Sequence, residues 1–251
     1  NTLAPPTAGH WLGTDDLGRD VLSRIIYGAR ASLFVGVLSV VAAAAVGTVL
    51  GLIAGYAAGL ADTLIMRVMD VIFAFPSILL ALAITAVLGP SLTNAVLAIA
   101  VVNLPIFARL ARAQTLVVAR LDYVEAARAM GSSHTRILLS TVLPNILAPV
   151  IVQGSLLFAS AIITESYLSF LGLGVQPPTP TWGNMLRNAI GFMELAPWLA
   201  WFPGAAIFLT VLGCNLLGDG LRDGFGRDRP QRRGRRRRLR LHLRVHLLPA
   251  A

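Results

Sequence analysis

The sequence predicts an all-α protein, a polytopic bundle of transmembrane helices, and three observations carry that reading. Hydrophobic residues occupy 56% of the 251 positions and charged ones only 13%, too apolar a balance for a soluble domain of this length. The apolar residues are gathered in runs of roughly twenty, the length an α-helix needs to cross a ~30 Å hydrocarbon core. Charge is segregated too. Residues 1–226 hold eleven Arg against eleven Asp and Glu, whereas residues 227–251 hold ten Arg against one Asp and supply the whole net charge of +9. A uniformly basic nucleic-acid binder does not distribute charge in this way.

Taken in order, residues 1–30 are polar and rich in Gly, Pro and Asp, and read as a segment outside the membrane. Asp15, Asp16 and Asp20 invite a metal site, but carboxylates at turns and helix starts beside Arg19 and Arg24 are better read as acceptors for backbone amides. A first span is predicted over residues 31–56, about 39 Å as a helix. Its Gly47, Gly51 and Gly55, four apart, lay a smooth stripe along one face, suited to close approach of another helix. After a short link with Arg67 and Asp70, a second span is predicted over 71–88. A third, over 92–110, contains Pro105, which favours a kink that is either pore-lining or a packing feature. A fourth, over 146–168, carries Gln153, Thr164 and Glu165. Intramembrane carboxylates are costly in lipid, so Glu165, with Gln153, either lines a translocation path near its outer mouth or braces the loop that follows. Residues 169–197, with many Gly and Pro, read as an extramembrane stretch whose Trp182 and Trp198 suit a membrane interface. A fifth span covers 198–217, with Cys214, the one cysteine, as a small packed residue.

The stretch from 117 to 145 breaks the apolar pattern without losing helical periodicity. Tyr123, Ala126, Ala127 and Met130 fall at i, i+3, i+4 and i+7 and share one face. Asp122, Glu125 and Arg128 lie away from it, the last two three apart and able to pair weakly. Gly131 is placed to end the helix in a left-handed conformation, and Ser132 or Ser133 to cap the next. Residues 135–143 read as a second short helix, stopped by Pro144. A polar helix–turn–helix between two spans has the form of a docking element.

Glu125-Ala126-Ala127, followed after three residues by Gly131 and later by Leu143-Pro144, resembles the EAA loop of bacterial ATP-binding-cassette (ABC) importer permeases. Thr141 departs from that pattern, which usually has isoleucine there. Three further stretches are similar to the second, C-type permease of dipeptide, oligopeptide and nickel importers. They are His10-Trp11-Leu12-Gly13-Thr14-Asp15-Asp16-Leu17-Gly18-Arg19-Asp20; Leu168-Ser169-Phe170-Leu171-Gly172-Leu173-Gly174 with Pro177-Pro178-Thr179-Pro180-Thr181-Trp182-Gly183; and Leu217-Gly218-Asp219-Gly220-Leu221-Arg222-Asp223. The resemblance spans residues 10 to about 224. It implies about five spans here and six in the full-length protein, with a first helix ahead of His10. It divides the chain into an extracytoplasmic segment (1–30), a permease domain (31–224) and an arginine-rich tail (225–251).

The same resemblance implies a non-catalytic, multi-pass subunit of the bacterial inner membrane, carrying peptides delivered by an extracytoplasmic binding protein. Its partners would be a second homologous permease, two ABC ATPases, that binding protein and lipid, with no nucleic acid. It implies no cofactor or metal in this chain, ATP and Mg being bound by the ATPases. Tyr123, Glu125, Ala126, Ala127, Met130, Gly131, Leu143 and Pro144 would form the ATPase-coupling loop. Nickel or oligosaccharide substrates are the alternatives within the class.

Arginine placement fits this orientation. With the Glu125 loop inside, Arg67, Arg109, Arg112, Arg120, Arg128, Arg136 and Arg222 are cytoplasmic, against Arg19, Arg24, Arg30 and Arg187 outside, which obeys the positive-inside bias. The tail admits three readings: a binder of anionic lipid, at ~1 kcal/mol per arginine, a nonspecific nucleic-acid binder, or out-of-frame translation of a GC-rich gene. His242 and His246, four apart, are too few for a metal site. Without a lysine anywhere the chain has no Walker A motif, and it has no metalloprotease, hydrolase-elbow or cysteine-cluster signature. Transport energy must then come from another subunit. An ATPase-independent secondary transporter or channel is the alternative class, but it would call for paired mid-membrane ionisable residues or related halves. A scaffold built on the arginine tail is a third.

Overall fold

The computed structural model describes residues 2–227, and these contain nine α-helices and no strand. The N-terminal segment is held by turns and two isolated β-bridges, Thr7 to His10 and Thr14 to Asp20. Two of its carboxylates, Asp15 and Asp20, do what the sequence led us to expect. Asp15 accepts from the amides of Leu17 and Arg19 and from the guanidiniums of Arg19 (2.7 Å) and Arg24 (2.9 Å). Asp20 caps α1 (Val21–Ala57) by accepting from the Ser23 amide. The first helix therefore starts ten residues ahead of its predicted apolar run, because a good N-cap and helix-compatible residues continue it beyond the hydrocarbon.

The glycine stripe of α1 packs where it was expected to. A Cβ on Gly47, Gly51 or Gly55 would lie 2.7, 2.4 and 2.8 Å from Phe107, Ala108 and Arg112 of α4 (Leu92–Val118). Backbone is laid on backbone over two turns of helix, which only residues without a side chain permit. Pro105 is buried within an unbroken α4, and the Leu104 carbonyl beside it faces Gly47. Its surroundings are those of a packing residue.

Between α1 and α4 the structure departs from the prediction. The link is itself helical, α2 (Gly59–Phe73), and the predicted second span is not one helix. α2 meets α3 (Ser77–Leu88) at 91°. Pro76 is the cause: it has no amide to donate and disfavours helical backbone at Phe75, so the chain must turn before helix resumes. α2 is tied to α4 by charge. Asp62 takes two hydrogen bonds from Arg112 (2.5 and 2.6 Å), and Asp70 takes one from Arg109 (2.7 Å), whose guanidinium also lies 4.4 Å over the Phe73 ring.

Pro144 does not stop the second helix of the polar stretch. Residues His134–Phe170 form one continuous rod, made of α6 (His134–Ile137), a π turn (Leu138–Val142) and α7 (Leu143–Phe170). A proline ring crowds the carbonyl four residues back. The wider turn relieves this, with the Leu143 amide reaching five residues back to Leu138. Past Phe170 come α8 (Trp182–Ala189), a 3₁₀ turn (Ile190–Phe192) and α9 (Trp198–Arg227), so the last helix overruns its predicted end and enters the first residues of the tail. The arginine run, His242 and His246 lie outside the described residues.

Three apolar clusters stack along the bundle. The middle one joins α1, α3, α4 and α7 through residues such as Val35, Ala81, Ile99, Phe107 and Leu157. At one end Val21, Met185, Ala189 and Leu199 gather the N-terminal segment, α8 and α9. At the other, Leu52, Ala111, Val118, Val124, Ile137 and Ile146 gather the feet of α1 and α4 with the polar loop. Among the described residues four helices are long and apolar enough to cross a membrane, and the bent pair α2–α3 makes up to five. Large apolar side chains such as Leu64, Val71, Phe208 and Leu216 face outward, as a bundle solvated by lipid requires.

Candidate functional site

The polar loop begins with α5 (Asp122–Ala129). It ends as its sequence dictates: Gly131 has φ +81°, its amide donates to the Arg128 carbonyl, and the Ser132 amide reaches back to Ala127. This is a Schellman closure. Of the two candidate serines it is Ser133 that caps α6, its hydroxyl accepting from the Arg136 amide.

The predicted apolar stripe of α5 is divided in two. Val124, which periodicity had not singled out, is 0% exposed and seats the helix on the cluster at the feet of α1 and α4. Ala127, three residues on, is half-buried and packs against that cluster. Tyr123 (46% exposed), Ala126 and Met130 (79% exposed) are left on the outer side, with Glu125 beside them. The helix thus has one side pinned to its own protein and one side offered outward. Leu143 is half-buried against the same cluster and Pro144 is exposed.

A second attachment comes from Tyr56 at the foot of α1. Its hydroxyl shares a 2.9 Å hydrogen bond with His134 Nδ1, the two rings meet edge-on with centroids 5.7 Å apart, and the Arg128 guanidinium lies 5.1 Å over the tyrosine. Arg128 is committed to Tyr56 rather than to Glu125, the weak pairing suggested by their spacing. Tyr56 and His134 are 78 positions apart, so no local pattern could reveal their contact.

Glu165 and Gln153 are not brought together with this loop. Glu165, on α7, is 0% exposed, and one carboxylate oxygen accepts a 2.6 Å hydrogen bond from Ser169 Oγ. Ser169 lies one turn on in the same helix, so this bond is local to the end of α7. Gln153 is half-buried on the same helix. The loop itself is packed hard onto the end of α7: a Cβ on Gly174 or Gly183 would meet Ser169 or Ser166 at 2.2 and 2.4 Å. Trp182 is turned into the protein. It is 3% exposed, with its indole N–H donating to the Ile25 carbonyl of α1 at 3.0 Å. A buried indole seeks an acceptor, and a backbone carbonyl supplies it here.

Known proteins place this architecture. The chain has the fold of a chain in an inward-facing MetNI methionine ABC transporter (TM-score 0.64, 17% identity, 81% of this chain and 95% of that one) and of one in an amino acid ABC transporter with histidines (TM-score 0.59, 17% identity, 79% and 91%). It is 53% identical to the dipeptide transport system permease protein DppC of Alkalihalophilus pseudofirmus, over 89% of this chain and 73% of that one. It is 52% identical to the glutathione transport system permease protein GsiD of Pectobacterium atrosepticum (87% and 72%) and to the di/tripeptide permease DppC of Pseudomonas aeruginosa (88% and 75%). Residues 47–229 match the family of binding-protein-dependent transport system inner membrane components. With that match running from the glycine stripe of α1 through the polar loop to the end of α9, the chain belongs to this permease family.

Proposed function

We propose that this chain is one of two permease subunits of an ABC importer for peptides in the bacterial inner membrane, and that α5 is the helix that docks in a groove of a partner ATPase. The observation that carries the docking role is the two-sided burial of α5. Val124 and Ala127 lock it to the bundle, while Tyr123, Ala126 and Met130 stand exposed at the spacing of helix-in-groove anchors. The peptide and glutathione names of the relatives support peptide as cargo. ATP and Mg would be bound by the ATPases, and an extracytoplasmic binding protein would deliver the substrate. Approach of the two ATPases on binding ATP would move α5, and through Val124 and Tyr56 the feet of α1 and α4, as a rigid body. Glu165 in this reading steadies the outer loop, and Gln153 is the candidate for facing the path.

The test is affinity co-purification from detergent, comparing wild type with a Tyr123→Arg, Met130→Arg double variant. Both positions are exposed, so the variant keeps the fold. Recovery of an ATPase pair and a second permease with wild type, and loss of the ATPases alone with the variant, is the expected result. Undiminished ATPase recovery with the variant would refute α5 as the docking helix. Absence of any ATPase with wild type would refute the importer.

A further inference from the structure

At the end of the bundle opposite the polar loop, the N-terminal segment and the segment after α7 enclose a cleft of ≈ 420 Å³. Two of the sequence motifs that the docking role leaves unused meet there. Its wall includes Asp16, Arg19, Arg24, Gln176, Arg187 and Asn188. Three guanidiniums therefore face one volume. Two of them share a single carboxylate: Asp15 accepts from Arg19 Nε and Arg24 Nη1, and these bonds leave the remaining N–H groups of each fork free to bind. The third, Arg187, makes no hydrogen bond or ion pair among the described residues. Its guanidinium lies against Gly172, where a Cβ would fall 1.9 Å from Nη1, and Gly172 has φ +81°. The glycine is favoured there by its positive φ.

The rest of the cleft is tied by hydrogen bonds. Gln176 Nε2 donates to the carbonyls of Gly172 and Gly174, Asn184 Nδ2 donates to Val175, and Trp182 is bonded to α1. An unpaired guanidinium, beside two others that share one acid, presents its N–H fork to a carboxylate. Resting on the importer reading above, we infer that this cleft recognises an acidic side chain, Asp or Glu, presented by the extracytoplasmic binding protein, with Arg187 as the central contact and Arg19 at its side. Apart from Arg24, in the first turn of α1, the walls of the cleft belong to segments outside the long apolar helices. The Arg187 side chain is exposed, which suits a protruding side chain of a docked protein.

The experiment uses the assembled importer in proteoliposomes and titrates its binding protein, reading stimulated ATP hydrolysis. Arg187→Gln is expected to raise the half-stimulating concentration about ten-fold or more, with the maximal rate and the basal rate unchanged. Its dependence on ionic strength should flatten, because one interfacial charge is gone. Arg187→Lys, which keeps the charge but not the fork, should fall between, and Arg187→Glu should be worst. A half-stimulating concentration within two-fold of wild type for both Arg187→Gln and Arg187→Glu would overturn the inference. So would a fall in maximal rate at unchanged half-stimulation, which would mark a structural role. Wild type that no binding protein stimulates would refute the importer reading itself, a result distinct from stimulation that is indifferent to Arg187.

Discussion

Replacing Gly51 by alanine tests the helix seam on which the bundle depends. In a free helix the change is favourable by about 1 kcal/mol. Here the added methyl would sit 2.4 Å from the Ala108 carbonyl oxygen, 2.6 Å from the Ala111 Cβ and 2.8 Å from the Arg112 amide. All three neighbours are backbone or Cβ, with no rotamer to change, so ordinary contact near 3.4 Å or beyond requires α1 and α4 to part by about 1 Å. A gap of that size forfeits a quarter to a half of each dispersion contact along the seam. Overpacking of this kind costs about 1–3 kcal/mol, and the rigidity of the obstacle puts this case at the upper end, enough to outweigh the propensity gain. Gly213 is the control: it is helical, in α9, with nothing within 4 Å of its Cβ position. Thermal unfolding in detergent, followed by reaction of the single thiol of Cys214 with a fluorogenic maleimide, should give a melting temperature several degrees lower for Gly51→Ala. Gly213→Ala should melt at or slightly above wild type. If Gly51→Ala melts no lower than Gly213→Ala, the backbone-on-backbone account of the seam is wrong.

The remaining predictions concern single contacts. Asp62→Ala and Arg112→Ala should each destabilise by about 1–3 kcal/mol, because each strands a charged hydrogen-bonding partner. The double variant should cost less than their sum, and a double-mutant cycle on detergent melting checks it. Asp20→Ala should cost about 1 kcal/mol at neutral pH as a lost N-cap. The Ser23 amide, with further help from the Ser23 hydroxyl and His10, holds the Asp20 carboxyl below its ordinary value against the opposing effect of burial. The stabilisation is therefore complete above about pH 4 and is lost as pH falls through the lower folded value. The melting difference between Asp20→Ala and wild type should accordingly vanish in acid, and a constant difference would contradict the capping role. Gly131→Pro cannot adopt φ +81° and loses the amide that closes α5. With Glu125→Lys, it should uncouple ATP hydrolysis from peptide uptake while leaving the protein in the membrane. Wild-type uptake by either well-expressed variant would count against docking.

Where the fold follows local chemistry, the sequence was a good guide. The glycine stripe, the Schellman glycine at 131, the serine cap of α6 and the amide-binding carboxylates of Asp15 and Asp20 each follow from residue type and spacing. What escaped was what depends on distant partners. Apolar periodicity marked Ala127 with Tyr123 and Met130, but Val124 one position away carries the burial, since the choice of inner face is made by Leu52, Val118 and Ile146 of other elements. Tyr56 and His134 meet only once α1 and α6 are in place. The 57–70 stretch read only as a link because its polar residues, Asp62, Arg67 and Asp70, break the hydropathy run. They turn out to be helical, and the two acids are matched to arginines some forty to fifty positions later. Pro144 shows the limit of a local rule: the chain had the option of widening one turn.

That widened turn sets a phase. Between His134 and Phe170 the chain is a rod of 37 residues, about 55 Å long, and its only departure from α geometry is the π turn at Leu138–Val142. A π turn holds one residue more than the α turn it replaces. The angular setting of the loop relative to every contact of α7 therefore hangs on a single surplus residue. Removing one residue there would restore a plain helix and swing everything before it by about 100°, turning His134 away from Tyr56 while hardly changing composition or length. In a family compared by its motifs, the spacing from Gly131 to Leu143-Pro144 thus behaves as a gear tooth, with whole residues as its unit and no intermediate positions.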